Sequence, residues 1–436
     1  MLGSIICALS IVLMILTILF KPIIRIGGRE INTFYFFPLL GACFIIITNQ
    51  IDLDYLFKSF TQNSSINPIK IVVLLMSLSM LSISLDELGL FNFLASKVVQ
   101  KVKNNQKKLF VTIYVLVSIL TMFTSNDIVI LTFTIFICHF AKHAKINPIP
   151  YLVMEFVAAN TWSMMFIIGN PTNIYLASSF DITFMEYFKI MALPTIASGI
   201  SAFGILYLIF RKELSKPIEN VDVEIEEIRY KKLTLVALIF LLATTVLLAI
   251  SNFINLEMWL ITLISAISLT IILFIFGIAK KDLSIVKHTY TRIPWNLAVF
   301  VFSMFVLVLT LSYNNVFENI QKAMYSITNG NKFFTVFSYG IESTLSDNII
   351  NNIPMSLAFS CIINSSNPEL ASIYATIIGS NIGAYLSPIG ALAGIMWMSI
   401  LKKEKVDYSF INFTNKGILI TVPVLLVALS MLTIIL

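Results

Sequence analysis

Thr124-Ser125-Asn126-Asp127 is the stretch on which the reading of the fold turns, because it lies between two apolar runs, 109 to 123 and 128 to 141. A bilayer crossing needs about 20 apolar residues. Neither run is comfortably long enough, so the four polar residues are expected at the tip of a hairpin within the membrane. Ser346-Asp347-Asn348, followed by Asn351, Asn352 and Pro354, repeats the arrangement between the runs 333 to 345 and 349 to 364. Ser125 and Ser346 stand 221 residues apart in a chain of 436. The chain therefore reads as two similar halves, each lending one polar tip to a shared site near mid-membrane.

Composition agrees: 58% of residues are hydrophobic, 12% are charged, and the mean hydropathy is +0.91. That excludes a soluble globular protein. The first run, Gly3 to Phe20, lacks a basic start and a small-residue cleavage site, so it counts as a span. Further spans are expected at 33 to 49, 70 to 90, 150 to 180, 189 to 211, 232 to 250, 257 to 279, 296 to 312, 370 to 401 and 414 to 436. The expected fold class is an all-α polytopic membrane protein of about ten transmembrane helices plus two oppositely oriented re-entrant hairpins, 109 to 141 and 333 to 364, in two inverted repeats. The repeats cover residues 1 to 211 and 232 to 436, joined by a cytoplasmic linker over 212 to 231. The segment 282 to 294 reads as an interfacial connecting helix.

With both termini outside and each hairpin returning to its own side, 24 of the 29 Lys and Arg fall in cytoplasmic segments. The outer segments keep only Lys58, Lys70, Lys189, Lys322 and Lys332, which obeys the positive-inside rule. Because the basic residues sit in short loops, the net charge of +6 gives no indication of nucleic acid binding. The four cysteines, Cys7, Cys43, Cys138 and Cys361, lie in or beside apolar runs without metal-ligand spacing and read as buried thiols.

An interrupted helix inside a bilayer survives only where protein or a watery cavity covers its free backbone groups. Each half carries two interruptions. They are the tip at 124 to 127 with Gly169-Asn170-Pro171-Thr172-Asn173, and the tip at 346 to 352 with Gly379-Ser380-Asn381-Ile382-Gly383 through Ser387-Pro388-Ile389-Gly390. Such breaks expose carbonyls that suit cations and helix N-termini that suit anions. The binding residues expected on this ground are Ser125, Asn126, Asp127, Asn170, Pro171, Thr172, Asn173, Ser346, Asp347, Asn348, Asn351, Asn352, Ser387, Pro388 and Gly390. Charges in apolar runs are functional candidates. Asp127, Asp347, Glu155 and Glu342 are therefore the candidates for proton or ion coupling, with helix capping as the alternative for the two aspartates. Asp86-Glu87 reads as a structural salt bridge, and His139 and His288 as interfacial residues.

No nucleotide-binding loop, metal-ligand cluster or nucleophile motif appears, so neither an enzyme nor a cofactor or metal is expected. Energy for transport then comes from an H+ or Na+ gradient or from a separate ATPase subunit.

At these residues the chain resembles the ArsB/NhaD family of the ion transporter superfamily. LDELGLFNFLAS at 85 to 96, SND at 125 to 127, GNPTNIYLAS at 169 to 178, NNIP at 351 to 354 and SPIGALAGIMW at 387 to 397 carry the likeness, and IPW at 293 to 295 leans it toward arsenite pump subunits. The resemblance implies an elevator-type carrier, commonly dimeric, in a bacterial inner membrane. It further implies export of arsenite or antimonite by proton exchange or with a partner ATPase. Ser380-Asn381 departs from the Cys-Asp that arsenite pumps tend to show. The alternatives are a sodium/proton antiporter, a sodium-coupled di- or tricarboxylate carrier, and, outside transport, a membrane sensor or structural subunit.

Overall fold

The computed structural model describes residues 2–21, 23–26, 29–62, 67–102, 105–218, 227–251, 253–364 and 369–436. Most of the acidic part of the linker, Glu219, Asp222, Glu224 and Glu226, lies outside the described residues.

In chain order the first half comprises α1 (Leu2–Phe20), a two-stranded antiparallel hairpin β1 (Ile23–Ile26) and β2 (Arg29–Asn32), α2 (Phe36–Ile47), α3 (Leu53–Thr61), α4 (Pro68–Glu87), α5 (Leu90–Val102), α6 (Gln106–Phe123), α7 (Asn126–His143), α8 (Ile149–Trp162), α9 (Pro171–Ser179) and α10 (Phe184–Phe210). After the linker come α11 (Lys231–Ala249), α12 (Met258–Lys280), α13 (Ser284–Arg292), α14 (Trp295–Tyr313), α15 (Val316–Thr328), α16 (Lys332–Ile350), α17 (Asn352–Asn364), α18 (Leu370–Ile382), α19 (Leu392–Lys403) and α20 (Phe410–Ile435). Helices dominate, as the hydropathy requires. The small β-hairpin lies between the first expected span and the one at 33 to 49, where no secondary structure is expected; the β-branched residues of the segment flank Gly27-Gly28 in the sequence, a hairpin signal.

Helix starts follow local chemistry. Asn67 caps α4 with Pro68 behind it, Asn105 caps α6, and Thr183 with Glu186 closes a capping box on α10. Seven helical segments among the described residues are long and apolar enough to cross a membrane, α6 among them. Their outward faces are apolar as well. On α12, Ile264, Ile267, Ile271, Ile275 and Ile278 are exposed at helical spacing while Ile261, Leu269 and Gly277 are buried. Such an apolar outer face needs lipid around it.

The two hairpins differ in reach. Arms α6 and α7 each run 18 residues, because Gln106 to Lys108 and Lys142 to His143 extend the apolar runs; that is roughly 27 Å at 1.5 Å per residue. The sequence reading undercounted them. Arm α17, at 13 residues, reaches roughly 20 Å and falls short of the ~30 Å hydrocarbon core.

The packing falls into two groups. In one, α1, α2 and α14 pack together, and α4 packs with α11, α12 and α13. In the other, α16 lies on α18, α10 on α20, and α8 on both α6 and α7. Close approach of α16 to α18 is set by glycine. A Cβ on Gly379 would lie 1.9 Å from Ser343 Oγ and 2.6 Å from the Gly340 carbonyl oxygen, a small-residue contact of the kind membrane helices use. Gly379 to Ile382 is thus helix rather than interruption, and the break in this long run is confined to 383 to 391.

Candidate functional site

In the first half, α8 stops at Trp162 and α9 starts at Pro171, so the break covers Ser163 to Asn170, beginning well before Gly169. Asn170 caps α9, its Oδ1 accepting from Thr172 N and Thr172 Oγ1 at 3.1 Å each. Gly169 is required by space: a Cβ there would sit 2.3 Å from the Ser163 carbonyl oxygen and 2.8 Å from its Cα. At the first tip, Asn126 opens α7 and is buried, donating from Nδ2 to Asn160 Oδ1 at 2.9 Å.

In the second half the turn falls later than the sequence suggested. Ser346, Asp347 and Asn348 lie inside the last turn of α16, and the chain reverses at Asn351, whose φ is 73°. Asparagine tolerates that left-handed conformation better than most residues. Asn351 Nδ2 donates to Ile389 O at 3.0 Å, and Asn352 N donates to Gly390 O at 3.1 Å. Asn348 Nδ2 donates to Gly383 O at 3.0 Å while its Oδ1 accepts from Ser387 Oγ at 2.6 Å. The tip of the second hairpin is therefore tied to both ends of the break between α18 and α19.

The end of α18, beside the second break, is joined to the first break chiefly through Asn381. Asn381 Oδ1 accepts from Asn170 Nδ2 at 2.8 Å and from Ser163 Oγ at 2.9 Å, and its Nδ2 donates to Asn173 Oδ1 at 2.7 Å and to Ile377 O at 2.8 Å. Asn173 Nδ2 in turn donates to Ser163 O at 2.8 Å, and Thr172 Oγ1 lies 3.1 Å from Ser380 Oγ. Asn160, Ser163, Asn170, Asn173, Ser380 and Asn381 are all at most 1% exposed. Buried amides are costly unless paired, and here each amide answers another.

Four helices end at these two clusters and four begin there: α7, α9, α17 and α19 start at or just after Asn126, Asn170, Asn351 and Gly390. Helix starts offer N–H groups and positive dipole ends, and helix ends offer carbonyls. Neutral amides and hydroxyls line most of the site, and Asp347 brings its one fully buried charge. Asp347 is 0% exposed and faces Gly383, where a Cβ would come within 2.8 Å of Asp347 Oδ2. Neither carboxylate oxygen of Asp347 finds a donor among the described residues, nor do Asn351 Oδ1 and Asn126 Oδ1. These buried oxygens have capacity for a proton, a cation or a solute's hydroxyl.

Asn126, Asn170, Thr172 and Asn173 thus lie in the network centred on Asn381, while Asn348, Asn351, Asn352, Ser387 and Gly390 form a second hydrogen-bonded cluster across the 383 to 391 break, beside Asp347; Pro171 opens α9 and Pro388 lies inside the second break. Ser125, Asp127 and Ser346 are only half-buried, and no hydrogen bond of the network reaches their side chains; Ser125 precedes α7 without capping it through its hydroxyl. Glu155 is fully buried but turns to α7, with Thr134 Oγ1 at 3.3 Å from both carboxylate oxygens. Glu342 lies on α16, half-buried, more than a helical turn before Asp347 and outside the network. Asn160, Ser163, Ser380, Asn381 and Gly383 were missed as site residues, although the last three stand within a predicted interruption. An amide inside the apolar VAANTW stretch was the available signal for Asn160, because an amide in a membrane helix needs a partner.

Away from the breaks, Arg292 Nη2 donates to Asp86 Oδ2 at 2.6 Å and Nη1 to Glu87 Oε1 at 2.5 Å, so Asp86-Glu87 does form an ion pair, linking α4 to α13. His139 and His288 are exposed beside Glu404 and Glu87. Cys7 and Cys138 are buried, Cys361 is half-buried and Cys43 is exposed. Cys43 corrects the expectation of four buried thiols, since it lies on an outward, lipid-type face of α2. Among the described residues, no three His, Cys, Asp or Glu gather as a metal site.

A family model described as citrate transporter matches residues 5–375. The arsenical pump membrane proteins of Yersinia enterocolitica and Escherichia coli K12 are each 26% identical over 360 residues, covering 81% of this chain and 83% of theirs. A 46 kDa membrane protein of Mycobacterium leprae is 24% identical over 400 residues, covering 88% of this chain and 90% of its own. The crystal structure of the Alcanivorax borkumensis YdaH transporter, described as having an unusual topology, superposes with a TM-score of 0.58 at 12% identity over 99% of this chain and 98% of that one. At that identity the likeness concerns fold alone.

Proposed function

The chain belongs to the citrate transporter family and is a multi-pass membrane transporter, and on that premise we propose that it is a secondary active carrier whose cargo binds at the Asn381-centred junction of the two breaks. The observation that carries this reading is the buried network itself. It brings residues more than 200 positions apart in sequence to one point, and beside it leaves the oxygens of Asp347 and Asn351 without donors. A merely structural junction would satisfy them. Protonation of Asp347, or a sodium ion held by it and Asn351, would couple cargo to an ion gradient.

In this reading residues 1 to 211 and 232 to 436 are inverted repeats, the hairpins α6–α7 and α16–α17 enter from opposite faces, and both termini lie outside. The group containing both hairpins moves as a body against the group containing α4 and α14, in an elevator cycle, within a homodimer. Transport draws on H+ or Na+ exchange or on a docked ATPase.

Two cargo classes have support. Arsenite or antimonite efflux follows the arsenical pump relatives at 26% identity; a small carboxylate anion follows the family model. Reconstituted protein should move arsenite or citrate in a way that collapses with the proton or sodium gradient. Gradient-independent flux, or none of any tested solute, would refute the reading.

A further inference from the structure

A cavity of about 890 Å³ opens between the end of α1, helix α19 and the start of α20. Ile395, Met398, Ser399 and Lys402 line it, and their spacing of i, i+3, i+4 and i+7 marks a single face of α19. The cavity therefore follows that helix, whose 12 residues span roughly 18 Å. At its inner end it is bounded by Pro388 and Ile389, and Ile389 O accepts from Asn351 at the hairpin tip. At the other end stand Lys21, Lys402 and Lys405, all exposed, with Asp407 the single acid among the described lining residues. Nearby Glu404 is engaged instead by His139 at 3.3 Å.

We propose that this cavity is a second, shallower binding site, an anion-collecting vestibule in which Lys21, Lys402 and Lys405 hold anionic oxygen groups, carboxylate or phosphate, before they reach the break. The inference rests on the transporter reading for its purpose but not for its chemistry. Three lysines against one aspartate in a cleft with apolar walls concentrate anions and repel cations, an effect that added salt weakens. Uncharged arsenious acid gains nothing from such a mouth, whereas a di- or trianion does. Anionic lipid headgroups share the same chemistry and reach the same side of the membrane. The occupant argued for here is the soluble anion, because the cavity leads inward along α19 to the hairpin tip.

The test places a reporter thiol on the cavity wall of the full chain, Ser399→Cys with Cys43→Ser, in vesicles of phosphatidylcholine alone. Labelling rates are compared for an anionic and a cationic methanethiosulfonate, each relative to its rate with a free thiol. The anionic reagent should be favoured by roughly tenfold at low salt. The preference should fall toward one in the Lys21→Gln/Lys402→Gln/Lys405→Gln variant, and millimolar citrate or phosphate should slow labelling in the parent only. Equal rates, preference for the cationic reagent, or a preference that survives loss of the lysines would overturn the proposal. Protection by added phosphatidylglycerol but not by citrate or phosphate would also overturn it, assigning the lysines to lipid. An intact charge preference with anion protection in a protein that transports nothing would instead break the transporter reading alone.

Discussion

Truncating Asn381 to alanine tests how far the junction of the two breaks depends on this side chain, the most connected of those that cross it. The substitution removes the acceptor of Asn170 Nδ2 and the donor to Asn173 Oδ1. Ser163 Oγ keeps an alternative, the Asn160 carbonyl oxygen at 2.7 Å, so two buried polar groups are left without partners. Each such group costs about 1–3 kcal/mol, giving about 2–6 kcal/mol for the pair, with the low end reached if a water enters the space of the lost amide. Asn381→Asp is a sharper probe. It keeps the acceptor but sets a carboxylate oxygen 2.7 Å from Asn173 Oδ1, so either the acid stays protonated or Asn173 turns its amide and abandons Ser163 O. Equilibrium unfolding in mixed micelles measures both, with the exposed helical Asn319→Ala as control. A loss below 1 kcal/mol for Asn381→Ala, with gradient-driven flux unchanged, would refute the claim that this residue organises the site.

Three further outcomes follow from the geometry. Gly169→Ala should abolish folded, monodisperse protein, because its Cβ meets Ser163 backbone, while Gly204→Ala, with nothing within 4 Å, should be silent in size-exclusion and flux assays. Asp347→Asn should melt at the same temperature or higher, since a buried carboxylate without a donor gains nothing from its charge, yet gradient-coupled flux should drop at least tenfold; unaltered coupling would remove Asp347 from the mechanism. Arg292→Ala leaves Asp86, with 6% of its side chain exposed, facing only Thr132 at 3.1 Å. With 40% of the Arg292 side chain exposed, solvent screens the pair, so the loss should be about 1–3 kcal/mol in mixed-micelle unfolding, and Asp86→Asn in the same chain should recover part of it.

Hydropathy, the paired polar tips and the lysine bias were legible in the one-dimensional pattern because a bilayer imposes length, polarity and charge rules that act locally along the chain. Those rules placed helices such as α11 and α14 to within a few residues of their bounds, and they drew attention to Asn170, Asn173 and Asn352. They misjudged where the breaks fall. Ser346 and Gly379 look like helix breakers but lie within α16 and α18, since a single serine or glycine in a packed membrane helix costs less than opening its hydrogen bonds. Only the fold could reveal the partners. Asn160 on α8 meets Asn126 at the start of α7 across 34 positions, and Asn381 meets Asn170 and Asn173 across 211 and 208 positions. Hydrogen bonds between distant segments depend on distance and direction in space, and a buried amide in the sequence states only that a partner is required.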